Sequence, residues 1–501
     1  MSLRPLLTVA AVGALAFANA ATLRAHWSLD NMGTSRRYWE DVTVAVSLYQ
    51  TREWKSPRKL SINEAVANRI NGRLRELLPR AAARAGVRPW EFWRLVEIRE
   101  FANISPFELR FSDDAGRARL SGFAFILLGG IAPYLPLWLP FLAFLVVAGW
   151  IAIEFFRVGE GFASVSFLGL LASSAYLLEA LTLPYSAAGF HLVSALGIVA
   201  VAMFAFGPPP TRWQVWSRVL AASLLFHVAT WCRSSSVVFL PLAICLLLLA
   251  ESRVKAPRGG WGRLGYALAL ILLMVAPKAL GSKSSHEVWL GMWEGLGDFD
   301  RERGHEWSDF SARVALDREG YHMERRGPYW TPETEAIFKR LVLADIKENP
   351  LWFVKILGHR VVATLTQRRL APKASDQGTT YEASSDPAEG VTDVYYNFVK
   401  TADVFTAFGR TREASLWMFW LFGGVFLARG ALSRSLPWRR RLGVVAAFGL
   451  GALVMPVALT TASGIETQVF AFTFLLCAAF LISDVRDVIR GARAPTRIAS
   501  H

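Results

Sequence analysis

The chain has 501 residues, 53% of them hydrophobic, a net charge of +15 and three cysteines. Its apolar residues gather in blocks such as Ser234–Ala250 and Ala267–Ala279, the pattern of membrane spans rather than of a soluble core. Cys232, Cys245 and Cys477 all lie in or beside such blocks, which excludes a disulfide framework in the polar segments. The basic surplus sits between greasy blocks, where topology and anionic lipid account for it. No nucleic-acid partner is expected.

Arginine placement orders the blocks. The runs Arg253-Val254-Lys255-Ala256-Pro257-Arg258, Trp438-Arg439-Arg440-Arg441 and Arg486 to Arg497 flank apolar stretches. Short basic loops stay in the cytoplasm. That choice puts two long polar segments outside.

Pro5–Ala21 reads as a first span or as a signal peptide, with Ala18-Asn19-Ala20 as a cleavage-like site. Within the first polar segment, Ser61-Ile62-Asn63-Glu64 is a capping box that opens a helix. Pro89 is expected to open another helix over Trp90–Phe101. Residues 120–156 are broken by Pro133, Pro136 and Pro140. The charge rule requires an odd number of crossings there. One crossing at 136–156 is preferred, with 120–133 in the outer interface or re-entering. Further spans are expected at 162–183, 187–206, 216–232, 234–250 and 264–281, then at 415–430, 442–460 and 468–483. The tight turn Trp231-Cys232-Arg233-Ser234 joins two of them on the outside. In the second polar segment, helices are expected over Glu333–Lys347 and, after Pro350, over Leu351–Thr366 at the interface. The polar stretch 371–390 reads as mobile.

The expected fold is an all-α polytopic membrane protein with about ten transmembrane helices and two large extracytoplasmic loops carrying juxtamembrane helices. The divisions are 1–22 first helix, 23–119 first loop, 120–281 helix bundle, 282–414 second loop, 415–485 C-terminal helices and 486–501 cytoplasmic basic tail. The chain would sit in the plasma or inner membrane with its C-terminus in the cytoplasm. Its oligomeric state is open.

Three groups of residues carry candidate chemistry. Tyr38-Trp39-Glu40-Asp41 follows the first span, and its paired carboxylates could supply a general base or hold a divalent cation, Mg or Mn. The competing reading is a helix N-terminus, which favours acids. His286 to Asp298 is dense in Trp, Gly and carboxylate, and Trp307-Ser308-Asp309 follows. Trp289 and Trp293 could be sugar platforms or interface anchors. Arg233 at an outer turn, and Arg360 with Arg368, Arg369 and Lys373, could bind a lipid phosphate through bidentate guanidinium contacts. The plain alternative for Arg233 is a salt bridge to Glu179 or Glu466. No Walker loop, Rossmann glycine pattern or HExxH motif is present. An outside-facing enzyme without a nucleotide site points to a substrate delivered on lipid.

In layout the chain resembles the GT-C superfamily of polytopic glycosyltransferases, in its uncharacterised bacterial branch. The likeness lies in a single span, an outer loop with an early acid, a run of spans and a second outer loop. It is carried also by Val288-Trp289-Leu290-Gly291-Met292-Trp293-Glu294-Gly295-Leu296-Gly297 with Trp307-Ser308-Asp309. The resemblance implies a polyprenyl-phosphate sugar donor and an extracytoplasmic acceptor. It implies a catalytic acid in the first loop: Asp41, with Glu40 second and Asp30 third, and Asp309 as a further candidate. Tyr38, Trp289, Trp293, Arg233 and Arg360 would contact substrate. The chain departs from the family in lacking a clear Asp-Glu pair in the first loop and an Arg-Tyr step into a late span; Gly464-Ile465-Glu466-Thr467-Gln468 stands there instead. It also has no WWDYG-like motif. Competing classes are a transporter or flippase for a lipid-linked glycan, and a non-catalytic membrane assembly protein.

Overall fold

The computed structural model describes residues 3–24, 76, 96–101, 115–132, 135–182, 187–254, 260–280, 288–297, 303, 305, 309–322, 331–366, 403–407, 410–413, 416–458 and 469–493. In chain order the helices are α1 (Leu3–Arg24), α2 (Ala115–Leu127), α3 (Leu135–Arg157), α4 (Gly161–Ala172), α5 (Ala175–Thr182), α6 (Ala187–Phe206), α7 (Arg212–Cys232), α8 (Leu240–Ser252) and α9 (Gly260–Leu280). They continue with α10 (Val288–Gly295), α11 (Asp309–Arg318), α12 (Pro332–Glu348) and α13 (Pro350–Thr366). After the antiparallel strands β1 (Asp403–Ala407) and β2 (Arg410–Glu413) come α14 (Leu416–Leu432), α15 (Leu436–Ala458) and α16 (Ala471–Arg493). That hairpin is a departure from the all-α expectation.

Helices occupy each apolar stretch singled out in the sequence. Among the described residues, five are long and apolar enough to cross a membrane: Leu3–Ala21, Trp138–Arg157, Gly189–Phe206, Arg212–Cys232 and Ser235–Ser252. The last begins as a 3₁₀ turn over Ser234–Phe239 before α8.

α6 is the axis of the bundle. It is apolar all round, as a helix enclosed by others must be, and packs against α3, α15, α7, α8 and α5. Gly189 lets its first turn close on α3, since a Cβ there would come within 2.6 Å of Pro140. α1 packs on α3, α4 and α5 and runs unbroken through Ala18-Asn19-Ala20. Its buried Asn19 donates to the carbonyl of Ala172 at 3.2 Å. That carbonyl ends α4, so the expected single span over 162–183 is two helices. The backbone breaks at Ser173-Ser174, and the Ser174 hydroxyl accepts the Leu177 N–H at 3.4 Å to start α5.

The last turn of α6 leaves four carbonyls without partners inside the helix. Arginines from α3, from α15 and from just past α8 reach its last three carbonyls and that of Gly207. Arg157 of α3 donates to Phe204 O at 3.3 Å, and Arg440 of α15 to Phe206 O at 3.2 Å. Arg253, just past α8, donates to Ala205 O and, at 2.7 Å, to Gly207 O. Two carboxylates bind the same end together. Fully buried Glu154 accepts from Arg157 at 2.8 Å and from Arg218 of α7 at 2.7 Å. Glu160 accepts from Arg441. The arginines that ordered the blocks in the sequence thus converge on one end of the bundle.

A similar repair holds α7 to α9. Pro277 has no N–H, so the Leu273 carbonyl four residues back has no helical partner. Ser223 Oγ donates to it at 3.0 Å, and His227 Nε2 lies 2.9 Å from it.

Two first-loop expectations meet the structure differently. The Ser61 capping box lies outside the described residues. The expected helix over Trp90–Phe101 does not run to its end. Val96 instead exchanges two backbone hydrogen bonds with Ile131, each 2.7 Å, and Ile98–Phe101 is a 3₁₀ turn. A β-branched pair favours that extended bridge. The stretch 371–390 also lies outside the described residues.

The second polar segment builds a small core of its own. Leu290, Trp293, Leu296, Ala312, Leu316, Tyr321, Phe338, Val342, Trp352 and Ile356 pack together from α10, α11, α12 and α13. Thr331 and Thr334 form a capping box with Pro332 at the first turn of α12. Glu335 then reaches across and accepts the N–H groups of Trp289 and Leu290, each at 3.1 Å, which caps α10. α13 joins this unit to the bundle by packing on α15.

Candidate functional site

At the end of α6 away from the arginines, polar groups gather where apolar helices stop. The separation along α6 from His191 to Phe204 is about 20 Å at roughly 1.5 Å per residue. His191 is fully buried, and its Nδ1 lies 3.0 Å from Ser235 Oγ and 3.5 Å from Ser236 Oγ. Its ring sits against Phe239. Those serines open the 3₁₀ turn that follows Arg233. Arg233 is extended, caps α7 by donating its N–H to Ala229 O at 2.7 Å, and is half-buried.

A third element closes over this corner. α2 packs on α7, and Gly116 is what permits it: a Cβ there would lie 2.4 Å from the backbone of Trp231. Arg119 lies over the Trp231 ring at 5.9 Å, and Arg117 is buried. Burial pushes the Arg119 guanidinium below its ordinary value, although an arginine stays protonated. The start of α6, the end of α7, the 3₁₀ turn and α2 therefore bring cations, two hydroxyls and an imidazole to one corner. Such a corner can bind an oxyanion: guanidinium offers a planar fork, and hydroxyls add donors.

The residues singled out in the sequence fare unequally. Tyr38, Glu40, Asp41 and Asp30 lie outside the described residues, as do Glu466 and the convergence of Asp41 with Asp309. Asp309 is the first residue of α11. Trp289 is half-buried with Lys339 Nζ 5.6 Å over its ring. Trp293 is a correction. It is buried at 6% exposure, edge-on to His305 at 5.2 Å and against Phe338 at 5.6 Å, so it builds the small core and offers no open face to a sugar. Arg360, at 3% exposure, donates to Gly295 O at 3.1 Å, which ties α13 to the end of α10.

The sequence reading missed His191, Arg117 and Arg119. A signal existed for each. His191 interrupts the otherwise apolar Ala187–Phe206, and the two arginines stand just before the block that starts at residue 120. Among the described residues no three His, Cys, Asp or Glu side chains are grouped to hold a metal ion. The first-loop carboxylates proposed for a cation are outside them.

No protein-family model matches the sequence, and no curated protein matches it. Among solved structures, the archaeal oligosaccharyltransferase AglB from Archaeoglobus fulgidus, in complex with an inhibitory peptide and a dolichol-phosphate, aligns with 97% of this chain at 13% identity and a TM-score of 0.43. The chain spans about half of that one, 51% of its length. A likeness of that size carries no argument about fold or function.

Proposed function

We propose that this chain is a membrane glycosyltransferase that moves a sugar from a polyprenyl-phosphate donor to an acceptor outside the cytoplasm. The observation that supports it is the corner of Arg233, Ser235, Ser236, His191 and Arg119 at the end of the bundle opposite the arginine-rich one. With the arginine-rich end in the cytoplasm, that corner lies at the outer headgroup level, where a lipid-linked phosphate would sit.

In this reading Arg233 holds the donor phosphate, and the serine hydroxyls donate to its remaining oxygens. Asp41 takes the proton from the acceptor hydroxyl. The acceptor oxygen attacks the anomeric carbon from the side opposite the phosphate. The carbon–oxygen bond to phosphate breaks, and the electron pair leaves with the polyprenyl phosphate. Charge grows on that phosphate in the transition state, so fixed cations beside it accelerate the step. Arg360, bound to Gly295, holds the second-loop helices in place. A bound divalent cation would neutralise the same leaving group.

Turnover of lipid-linked sugars by the purified protein and by Asp41→Asn tests the reading. A loss of about 10²–10⁴-fold in transfer with donor binding retained is expected from removing the base. Wild-type turnover by a folded Asp41→Asn protein would move the base to Glu40, Asp30 or Asp309.

A further inference from the structure

The arginine-rich end of α6 holds more positive charge than its own carboxylates neutralise. Arg157, Arg218, Arg253, Arg440 and Arg441 meet there, against Glu154 and Glu160. Glu251, buried two residues before Arg253, adds a third carboxylate. The C-terminal dipole of α6 adds about half a negative charge. A surplus of more than one positive charge remains.

Donors remain as well. Arg157 uses Nε on Glu154 and Nη2 on Phe204 O; Arg218 uses Nε on Glu154 and Nη1 on Ser217 Oγ; Arg440 uses Nε on Phe206 O and Nη1 on Val158 O. Among the described residues Arg157 Nη1, Arg218 Nη2 and Arg440 Nη2 carry no hydrogen bond, and none of these three atoms is sealed from the surface. Arg157 and Arg218 stand side by side, sharing Glu154 and the face of Phe204 at 5.0 and 5.3 Å. Burial chiefly, and then repulsion from Arg157, Arg253 and Arg441, push the Arg440 guanidinium below its ordinary value against the pull of Glu160. An added anion would relieve that repulsion.

We propose that the C-terminal end of α6 is a binding site for the phosphate of an anionic phospholipid in the cytoplasmic leaflet, held by the outward edges of Arg157, Arg218 and Arg440. The position suits a headgroup, because Arg157 is the last residue of its span, Arg218 lies within the first two turns of α7 and Arg440 within the first two turns of α15. A lipid bound there would clamp α3, α7 and α15 together around the axis helix. The site is independent of the donor corner about 20 Å away along α6.

The test is the thermal midpoint of the full chain in detergent micelles with added phosphatidylglycerol, phosphatidylcholine or inorganic phosphate. Phosphatidylglycerol is expected to raise the midpoint by ~3 °C or more over phosphatidylcholine. Arg440→Gln should abolish that rise, and Arg434→Gln, at an exposed arginine in the turn between α14 and α15, should keep it. Equal midpoints in the two lipids overturn the site. So does an equal loss in both variants, which would mean diffuse surface charge. A full rise with inorganic phosphate alone overturns the lipid assignment in favour of a soluble phosphate. Should Arg440→Gln fail to fold, Arg440→Lys, which keeps the charge, is expected to retain at least half of the rise; its complete loss would contradict the proposal.

Discussion

Arg441 and Glu160 meet in a two-pronged ion pair, Nε to Oε1 at 2.8 Å and Nη2 to Oε2 at 2.7 Å, across 281 positions of sequence. Both side chains are nearly sealed from solvent, at 6% and 7% exposure, and the guanidinium lies against the rings of Trp438 and Phe480. Removing one partner strands the other charge. Arg441→Met and Glu160→Gln should each lower stability by about 3–5 kcal/mol, and the double variant should recover much of the loss. A double-mutant cycle read by thermal or denaturant unfolding checks this; additive losses would mean the two residues act separately.

The carbonyl of Leu273 gives a second coupling. Its partners Ser223 and His227 stand in for the N–H that Pro277 lacks. His227→Leu should cost about 1 kcal/mol in the native chain, since it removes one of the two partners of a carbonyl that the helix backbone leaves unpaired. In a Pro277→Ala background the backbone can take that carbonyl, and the same substitution should cost far less. Unfolding of the four proteins measures the difference.

The second-loop unit depends on Glu335 as a cap for α10. Glu335→Ala should destabilise that helix by about 1 kcal/mol and leave the bundle intact. Hydrogen exchange should quicken across residues 288–297 and stay unchanged across α6.

Orientation is tested with single cysteines at Ser56, Ser375 and Gly260, placed in a chain whose three native cysteines are replaced. An impermeant maleimide on intact cells should label the first two and spare Gly260. Labelling at Gly260 with the other two silent would invert the topology and place the Arg233 corner on the cytoplasmic side.

Helix positions were legible because hydrophobic blocks are local: α6, α12 and α13 sit where periodicity, prolines and caps put them. The break of α4 from α5 was hidden, because it depends on Asn19 from α1 reaching Ala172. α2 starts at Ala115, earlier than the apolar block, because Arg117 and Arg119 hide its first turn from a hydropathy reading. Trp293 looked like a platform because its spacing says nothing of the Phe338 and His305 that enclose it. The charge rule gathered the arginines on one side, and only the packing of α3, α7, α8 and α15 around α6 shows that they cap its last turn and pair with Glu154 and Glu160. The Arg233 corner was half legible: Arg233 and its serines stood out, while His191 and Arg119 come from elements distant in sequence.

The central claim is that the Arg233 corner recognises a polyprenyl phosphate, whatever sugar it carries. The most direct measurement is the affinity of the purified chain for a sugar-free polyprenyl phosphate and for the matching polyprenol, in the native protein, Arg233→Lys and Arg233→Gln, with thermal stability read beside each. The account predicts binding that requires the phosphate, weakened by Arg233→Lys because a point charge does not replace a planar fork, and weakened at least ~10-fold by Arg233→Gln with the fold preserved. Equal affinity for the alcohol and its phosphate, or unchanged phosphate affinity with lowered stability in Arg233→Gln, would contradict it.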